Sequence, residues 1–180
     1  MRINKEQACG LIIDIQERLF PHIYKHDFIA DNTAILIRGL KILELPVILT
    51  QQYTIGLGET ISVIKGSLPD LTPIEKNCFS CCDEPMFKDS LKQVDKKFVI
   101  IAGIEAHVCV LQTVLDLLTD GYTPVVIENC ISSRKNRDKK TAVERMRQEG
   151  AIITTYESIL FELTRFAGTA QFKEISRLVK

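Results

Sequence analysis

The sequence has no excess of charge of either sign. Lysine and arginine total 23, aspartate and glutamate total 23, and the formal net charge over 180 residues is zero. A nucleic-acid partner generally needs a basic surplus, so none is expected. No apolar run reaches the roughly 18 residues of a bilayer-spanning helix, so no membrane partner is expected. The first ten residues include Lys5 and Glu6 and lack the apolar core of a signal peptide. A cytoplasmic chain with reduced thiols follows as the expectation. Glycine-rich phosphate loops are missing as well. Gly56-Leu57-Gly58 and Gly66 fit no nucleotide fingerprint, and Asp14-Ile15-Gln16 stands where dinucleotide-binding glycines would be. Cofactors are therefore expected to be none. Cys78, Cys81 and Cys82 have no matching Cys or His pair downstream, and His22, His26 and His107 form no ligand pattern. No metal is expected.

What is present suits one globular domain over residues 1–180, with 46% hydrophobic and 26% charged residues. Short apolar runs read as buried strands at Cys9–Ile13, Val47–Thr50, Phe98–Ala102, Pro124–Ile127 and Ala151–Thr154, with a weaker one at Thr72–Glu75. Helical spacing appears at Asp27–Leu43, Val108–Leu118, Lys139–Gln148 and Ala170–Leu178. Alternation of the two predicts a three-layer, doubly wound, Rossmann-like α/β domain with a mainly parallel sheet of about six strands. The Gly-rich stretch 51–73 reads as a loop with a short helix.

In such sheets ligands bind beyond the carboxyl ends of the strands. The first strand ends at Asp14, the weak third at Glu75-Lys76, and the fourth at Gly103, shortly before a helix with Cys109 in its first turn. A thiol at a helix start and near a lysine is expected to have a depressed pKa. A carboxylate within reach can take its proton and return it to a leaving amine. Each residue alone has a plainer reading: a helix cap for Asp14, a solvated lysine, a core cysteine. Convergence at three strand ends is what favours chemistry. His107 sits two residues from Cys109, on a diverging face, and reads as a packing or rim residue.

These residues resemble those of the isochorismatase-like cysteine hydrolases, a family that includes nicotinamidases and carbamoylsarcosine amidases. The matching pieces are Ile12-Ile13-Asp14-Ile15-Gln16, Pro46-Val47-Ile48-Leu49-Thr50, Lys76, Gly103-Ile104-Glu105-Ala106-His107-Val108-Cys109-Val110 and Ser132-Ser133-Arg134. Thr50-Gln51-Gln52-Tyr53, Lys76-Asn77-Cys78-Phe79-Ser80 and Phe172-Lys173-Glu174-Ile175 are similar to the isochorismatase domain-containing subgroup.

The resemblance implies that Asp14 is the general acid/base, Lys76 the charge-balancing group and Cys109 the nucleophile. It implies a cis peptide at Ile104–Glu105, with the amides of Glu105 and Cys109 facing an oxyanion. It also implies a homo-oligomer, a dimer or higher. Gln16, Phe20, Gln52 and Tyr53 follow strand ends and are candidates for the substrate pocket. The metal-binding histidines of nicotinamidases have no counterpart in Gln52-Tyr53-Thr54-Ile55-Gly56, and vinyl-ether-cleaving isochorismatases typically lack the cysteine. The expected activity is hydrolysis of a small amide-like C–N substrate through a thioester. Two alternatives stand beside it: a silent member acting through protein contacts, and isochorismatase-type hydrolysis, which would survive loss of Cys109.

Overall fold

The computed structural model describes residues 1–180. Its strands are β1 (Ala8–Ile13), β2 (Val47–Gln52), β3 (Ile74–Lys76), β4 (Phe98–Ile104), β5 (Thr123–Ser132) and β6 (Ile152–Thr154). Helix α1 (His26–Ile42) follows β1, while the short α2 (Thr54–Leu57) and α3 (Ser62–Ser67) follow β2. Then come α4 (Pro85–Val94), α5 (Leu111–Thr119), α6 (Asn136–Gln148), α7 (Tyr156–Thr164) and α8 (Ala170–Leu178). The strands form one sheet in the order β3-β2-β1-β4-β5-β6, and every pairing is parallel. This is the doubly wound architecture expected from the sequence. Chain order reverses between β1 and β4, so the crevice for a ligand opens at the carboxyl ends of these two strands.

The strands are apolar on both faces because each face is covered. On β1, Ala8 and Ile12 face one layer while Cys9, Leu11 and Ile13 face the other. The first layer holds α1, α7 and α8, contributing Leu36, Leu40, Leu160 and Ile175. The second holds α4, α5 and α6, contributing Phe87, Leu91, Val114 and Met146. No helix is long and apolar enough to cross a membrane.

Helices α4 and α7 are not among the segments expected from periodicity. Helix α4 buries only Phe87 and Leu91, too narrow a stripe to stand out against its charges. Its signal lies at its start instead, where the Glu84 side chain accepts from Met86 N and Pro85 takes the first turn. Helix α7 is likewise marked by its cap, Thr155, which accepts from Ser158 N. The helix expected from Val108 begins with a wide π turn at Ala106–Val110 before α5, and β5 continues to Ser132 rather than stopping at Ile127.

At the crevice, Gly103 lies at a register shift between β4 and β5. Its φ is +145°, and a Cβ there would overlap the carbonyl oxygen and amide nitrogen of Ile13 on β1. Only glycine lets the two central strands converge so closely just before Asp14. Gly103→Ala must push the end of β1 aside against rigid backbone. It is expected to cost about 3 kcal/mol in urea-unfolding measurements. An unchanged midpoint would show that the strand ends yield easily.

Candidate active site

Three strand ends deliver the site. Asp14 follows β1 directly, with φ +52°, a left-handed conformation that Asp tolerates better than most residues. Lys76 is the last residue of β3. Cys109 lies in the π turn after β4, a wide turn of a kind that recurs at functional sites. The Ile104–Glu105 peptide bond that enters this turn is cis.

Lys76 and Asp14 form a buried ion pair, with Nζ 2.6 Å from Oδ2 and both side chains at most 1% exposed. The other two ammonium hydrogens are also committed, donating to the Cys78 and Phe79 carbonyls at 3.1 Å each. Lys76 thus has no free proton to offer a substrate. Its burial works against the ammonium, but the charge and hydrogen bond of Asp14 favour it, and its pKa is held above the ordinary lysine value. The second carboxylate oxygen, Oδ1, accepts from Thr50 Oγ1 at 2.7 Å. Asp14 is therefore clamped at both oxygens and cannot swing.

Cys109 is 4% exposed. Its thiol donates to Gln52 Oε1 at 3.4 Å, and the Asp14 carboxylate is near enough to act on it electrostatically. Burial, followed by the Asp14 charge, pushes this thiol above the ordinary cysteine range, and Lys76 offsets only part of that. The depressed pKa expected from the sequence is absent from the resting protein, because desolvation and the Asp14 charge outweigh the Lys76 cation. The resting Cys109 side chain is a neutral thiol beside a carboxylate.

The surrounding residues divide into struts and lining. Gln16 is fully buried. Its amide nitrogen donates to the Gln52 and Gly58 carbonyls at 2.9 and 2.7 Å, and its oxygen accepts from Gln52 N at 2.7 Å. It ties the end of β2 to the following loop and is a strut rather than the pocket wall expected of it. Phe20 packs in the α1 layer, opposite the layer that holds Cys109. It lines a different cavity, of about 560 Å³, with Glu17, Asp31 and Ile61. Gln52, against the thiol, and the exposed Tyr53 beside it remain at the site. Glu105 accepts from the backbone and side chain of Arg134 at 2.9 and 3.0 Å, which joins the π turn to the segment after β5. His107 Nδ1 meets Ser133 Oγ at 2.9 Å.

Thr50, Cys81, Thr113 and Arg134 are the participants that the sequence reading gave no role. All six cysteines are free. No group of three or more His, Cys, Asp or Glu side chains gathers in the manner of a metal site.

Fold and site together define a doubly wound α/β protein with an Asp–Lys–Cys cluster at the switch point of its sheet. The isochorismatase domain model matches residues 8–158. Isochorismatase family protein 1B of Dictyostelium discoideum is 39% identical, covering 99% of this chain and 89% of its own. The solved MAR1 ribonuclease of Caenorhabditis elegans superposes with a TM-score of 0.93 at 39% identity, covering 99% of this chain and 92% of that one. The YcaC gene product of Escherichia coli, an octameric hydrolase of unknown specificity, superposes at 0.92 with 26% identity, covering 99% and 90%. The chain belongs to the isochorismatase family and has its hydrolase fold.

Proposed function

We propose that the protein is a cysteine-dependent hydrolase of a small amide-like substrate. The observation that carries this reading is the clamped Asp14 carboxylate against the buried thiol of Cys109. Proton transfer is coupled to attack: Asp14 takes the thiol proton as sulfur bonds to the substrate carbonyl carbon. The amides of Glu105 and Cys109 hold the oxyanion. Collapse of the intermediate breaks the C–N bond, and Asp14 gives its proton to the departing amine. Water, deprotonated by Asp14, then cleaves the thioester and restores the thiol. Lys76 remains an ammonium throughout and fixes the carboxylate.

The neutral resting thiol makes alkylation a sharp test. Cys9, Cys81 and Cys130 are buried thiols with raised pKa values like Cys109. With acrylamide as the probe, peptide mapping should find Cys109 modified at least about tenfold faster than these three. Asp14→Asn should remove the difference. Cys109 reacting no faster, or an unchanged rate in Asp14→Asn, would favour a silent scaffold. In a small-amide panel, Cys109→Ala should abolish turnover and hydroxylamine-trappable thioester. Turnover surviving in that variant would point to isochorismatase-type hydrolysis.

A second reading takes its support from the C. elegans relative, which is named a ribonuclease. Beside the π turn lies a cavity of about 270 Å³ lined by His107, Arg137, Asp138, Thr141 and Arg145, whose two guanidiniums against one carboxylate leave a chemistry suited to phosphate. Cleavage of labelled RNA that is lost in Arg137→Gln/Arg145→Gln would favour phosphodiester chemistry over amide hydrolysis. A homo-oligomer belongs to either reading. Tyr53, Ile55 and Phe79, 54%, 83% and 54% exposed, stand next to the site as its candidate contact face. A monomer mass by light scattering would remove that assignment.

A further inference from the structure

Of the buried nucleophiles with no part in the hydrolytic cycle, Cys81 alone shares the catalytic hydrogen-bond network. It opens a single helical turn between β3 and α4 and is fully buried. One hydroxyl joins its backbone to that of Cys109: Thr113 Oγ1 accepts from Cys81 N at 2.9 Å and donates to the Cys109 carbonyl at 2.7 Å. On its other side the Cys81 thiol lies 3.9 Å from Thr50 Oγ1, the group that donates to Asp14. Cys81 thus reaches Asp14 through Thr50 and Cys109 through Thr113, and the two thiols share one apolar layer.

The remaining cysteines are placed differently. Cys9 reaches the Phe98 carbonyl at the far end of the sheet. Cys82 lines a surface cavity with Lys88 and Tyr122, and Cys130 belongs to the opposite layer. Cys78 is half-buried, and its carbonyl accepts from Lys76 and Gln52, with no hydrogen bond made by its thiol to another residue.

We propose that Cys81 is a resolving thiol that captures oxidised Cys109 as an intramolecular disulfide. The inference rests on Cys109 being the nucleophile, and it names how that residue would be protected. The oxidant is a hydroperoxide, small enough to enter where an amide would. Asp14 takes the Cys109 proton, sulfur attacks one peroxide oxygen, and the O–O bond breaks. The leaving oxygen takes up the proton, giving Cys109 sulfenic acid and water or an alcohol. Cys81 sulfur then attacks the sulfenic sulfur. Its own proton leaves with the hydroxyl as a second water, and the S–S bond forms. Two electrons pass from the two thiols to the peroxide, and a dithiol reductant reverses the bond. Ordering by Thr113 and Thr50 gives the second step an advantage over a second oxidation to sulfinic acid, which is not readily reversed.

The test uses the whole protein with hydrogen peroxide, followed by alkylation, digestion without reductant and peptide fragmentation. Fragmentation is needed because Cys78, Cys81 and Cys82 fall in one tryptic peptide. The expected result is a Cys81–Cys109 link, two hydrogens lighter, that dithiothreitol reverses together with the alkylation of Cys109. In Cys81→Ser, and in Cys81→Ala as a second variant of unchanged circular dichroism, the link should vanish. Cys109 should then accumulate as sulfinic acid about tenfold faster than in wild type. A link to Cys78 or Cys82 would overturn the inference, as would equal sulfinic formation with and without Cys81; neither result touches Cys109 as nucleophile. Cys109 that neither takes up oxygen nor reacts with acrylamide overturns the inference and the hydrolase reading together.

Discussion

Lys76→Met should destabilise the protein by about 3–5 kcal/mol, the usual cost of stranding one member of a buried ion pair. The Asp14 carboxylate would be left in a site at most 1% exposed, held only by Thr50. The Phe79 carbonyl would lose its donor in the same step, at about 1–3 kcal/mol, while the Cys78 carbonyl would keep only the longer bond from the Gln52 amide at 3.4 Å. Some of this would be recovered by local shifts and by water. Asp14→Asn added to Lys76→Met removes the stranded charge and retains an acceptor for Thr50, so the double variant should be more stable than Lys76→Met alone. What remains lost in the double variant measures the ammonium's bonds to the Cys78 and Phe79 carbonyls. Urea unfolding of wild type, both single variants and the double variant reads the coupling directly. Additive losses, with no recovery in the double variant, would show that the pair contributes nothing as a pair. The ammonium would then have to be understood through its carbonyl bonds alone.

The arrangement explains why part of this site is legible in the sequence and part is not. A parallel strand covered on both faces must be apolar throughout, so the first polar residue after such a run marks the edge where ligands bind. Asp14 and Lys76 stand out for that reason, and the turn carrying Cys109 can be placed because Gly103 closes the apolar run Phe98–Ala102 before it. Thr50 is different. It ends Val47-Ile48-Leu49-Thr50, and a β-branched residue there fits an ordinary strand interior. Only the pairing of Ile13 with Thr50 across β1 and β2 sets it beside Asp14. Gln16 follows a strand end as Asp14 does, yet its bridge to Thr60 and its bonds to residues 52 and 58 turn it into the loop. Those partners lie about forty residues along the chain, beyond any local pattern. The protonation of Cys109 is illegible for a third reason. A lysine and a helix start can be seen in a string of letters, whereas the depth of burial that outweighs them depends on how three layers close.

That depth of burial predicts an alkaline limit to stability. Cys9, Cys81 and Cys82 are each pushed up to about 12, chiefly by burial, and Cys109 and Cys130 are raised for the same leading cause. In the unfolded chain a thiol titrates near about 8.5. A folded pKa above the unfolded one means that the native state keeps protons which the unfolded state releases. The stability from keeping these thiols neutral is fully present below about pH 8.5 and is lost as pH rises toward the folded values. Each thiol contributes a slope approaching about 1.4 kcal/mol per pH unit. Lys76, also raised, adds in the same direction above about pH 10.4, where an unfolded lysine deprotonates. Lys139, lowered by burial, opposes them. Five thiols against one lysine leave a steep net loss, enough to exhaust a typical total of about 5–15 kcal/mol between roughly pH 9 and 11. Urea unfolding in the presence of a reductant, followed from pH 7 to 10.5, should show a flat plateau and then this fall. Cys130→Ala should soften it by one thiol's share. A profile flat to pH 10.5 would mean that water reaches these thiols in the native state, and with it the neutral resting Cys109 on which coupled proton transfer to Asp14 depends would have to be given up.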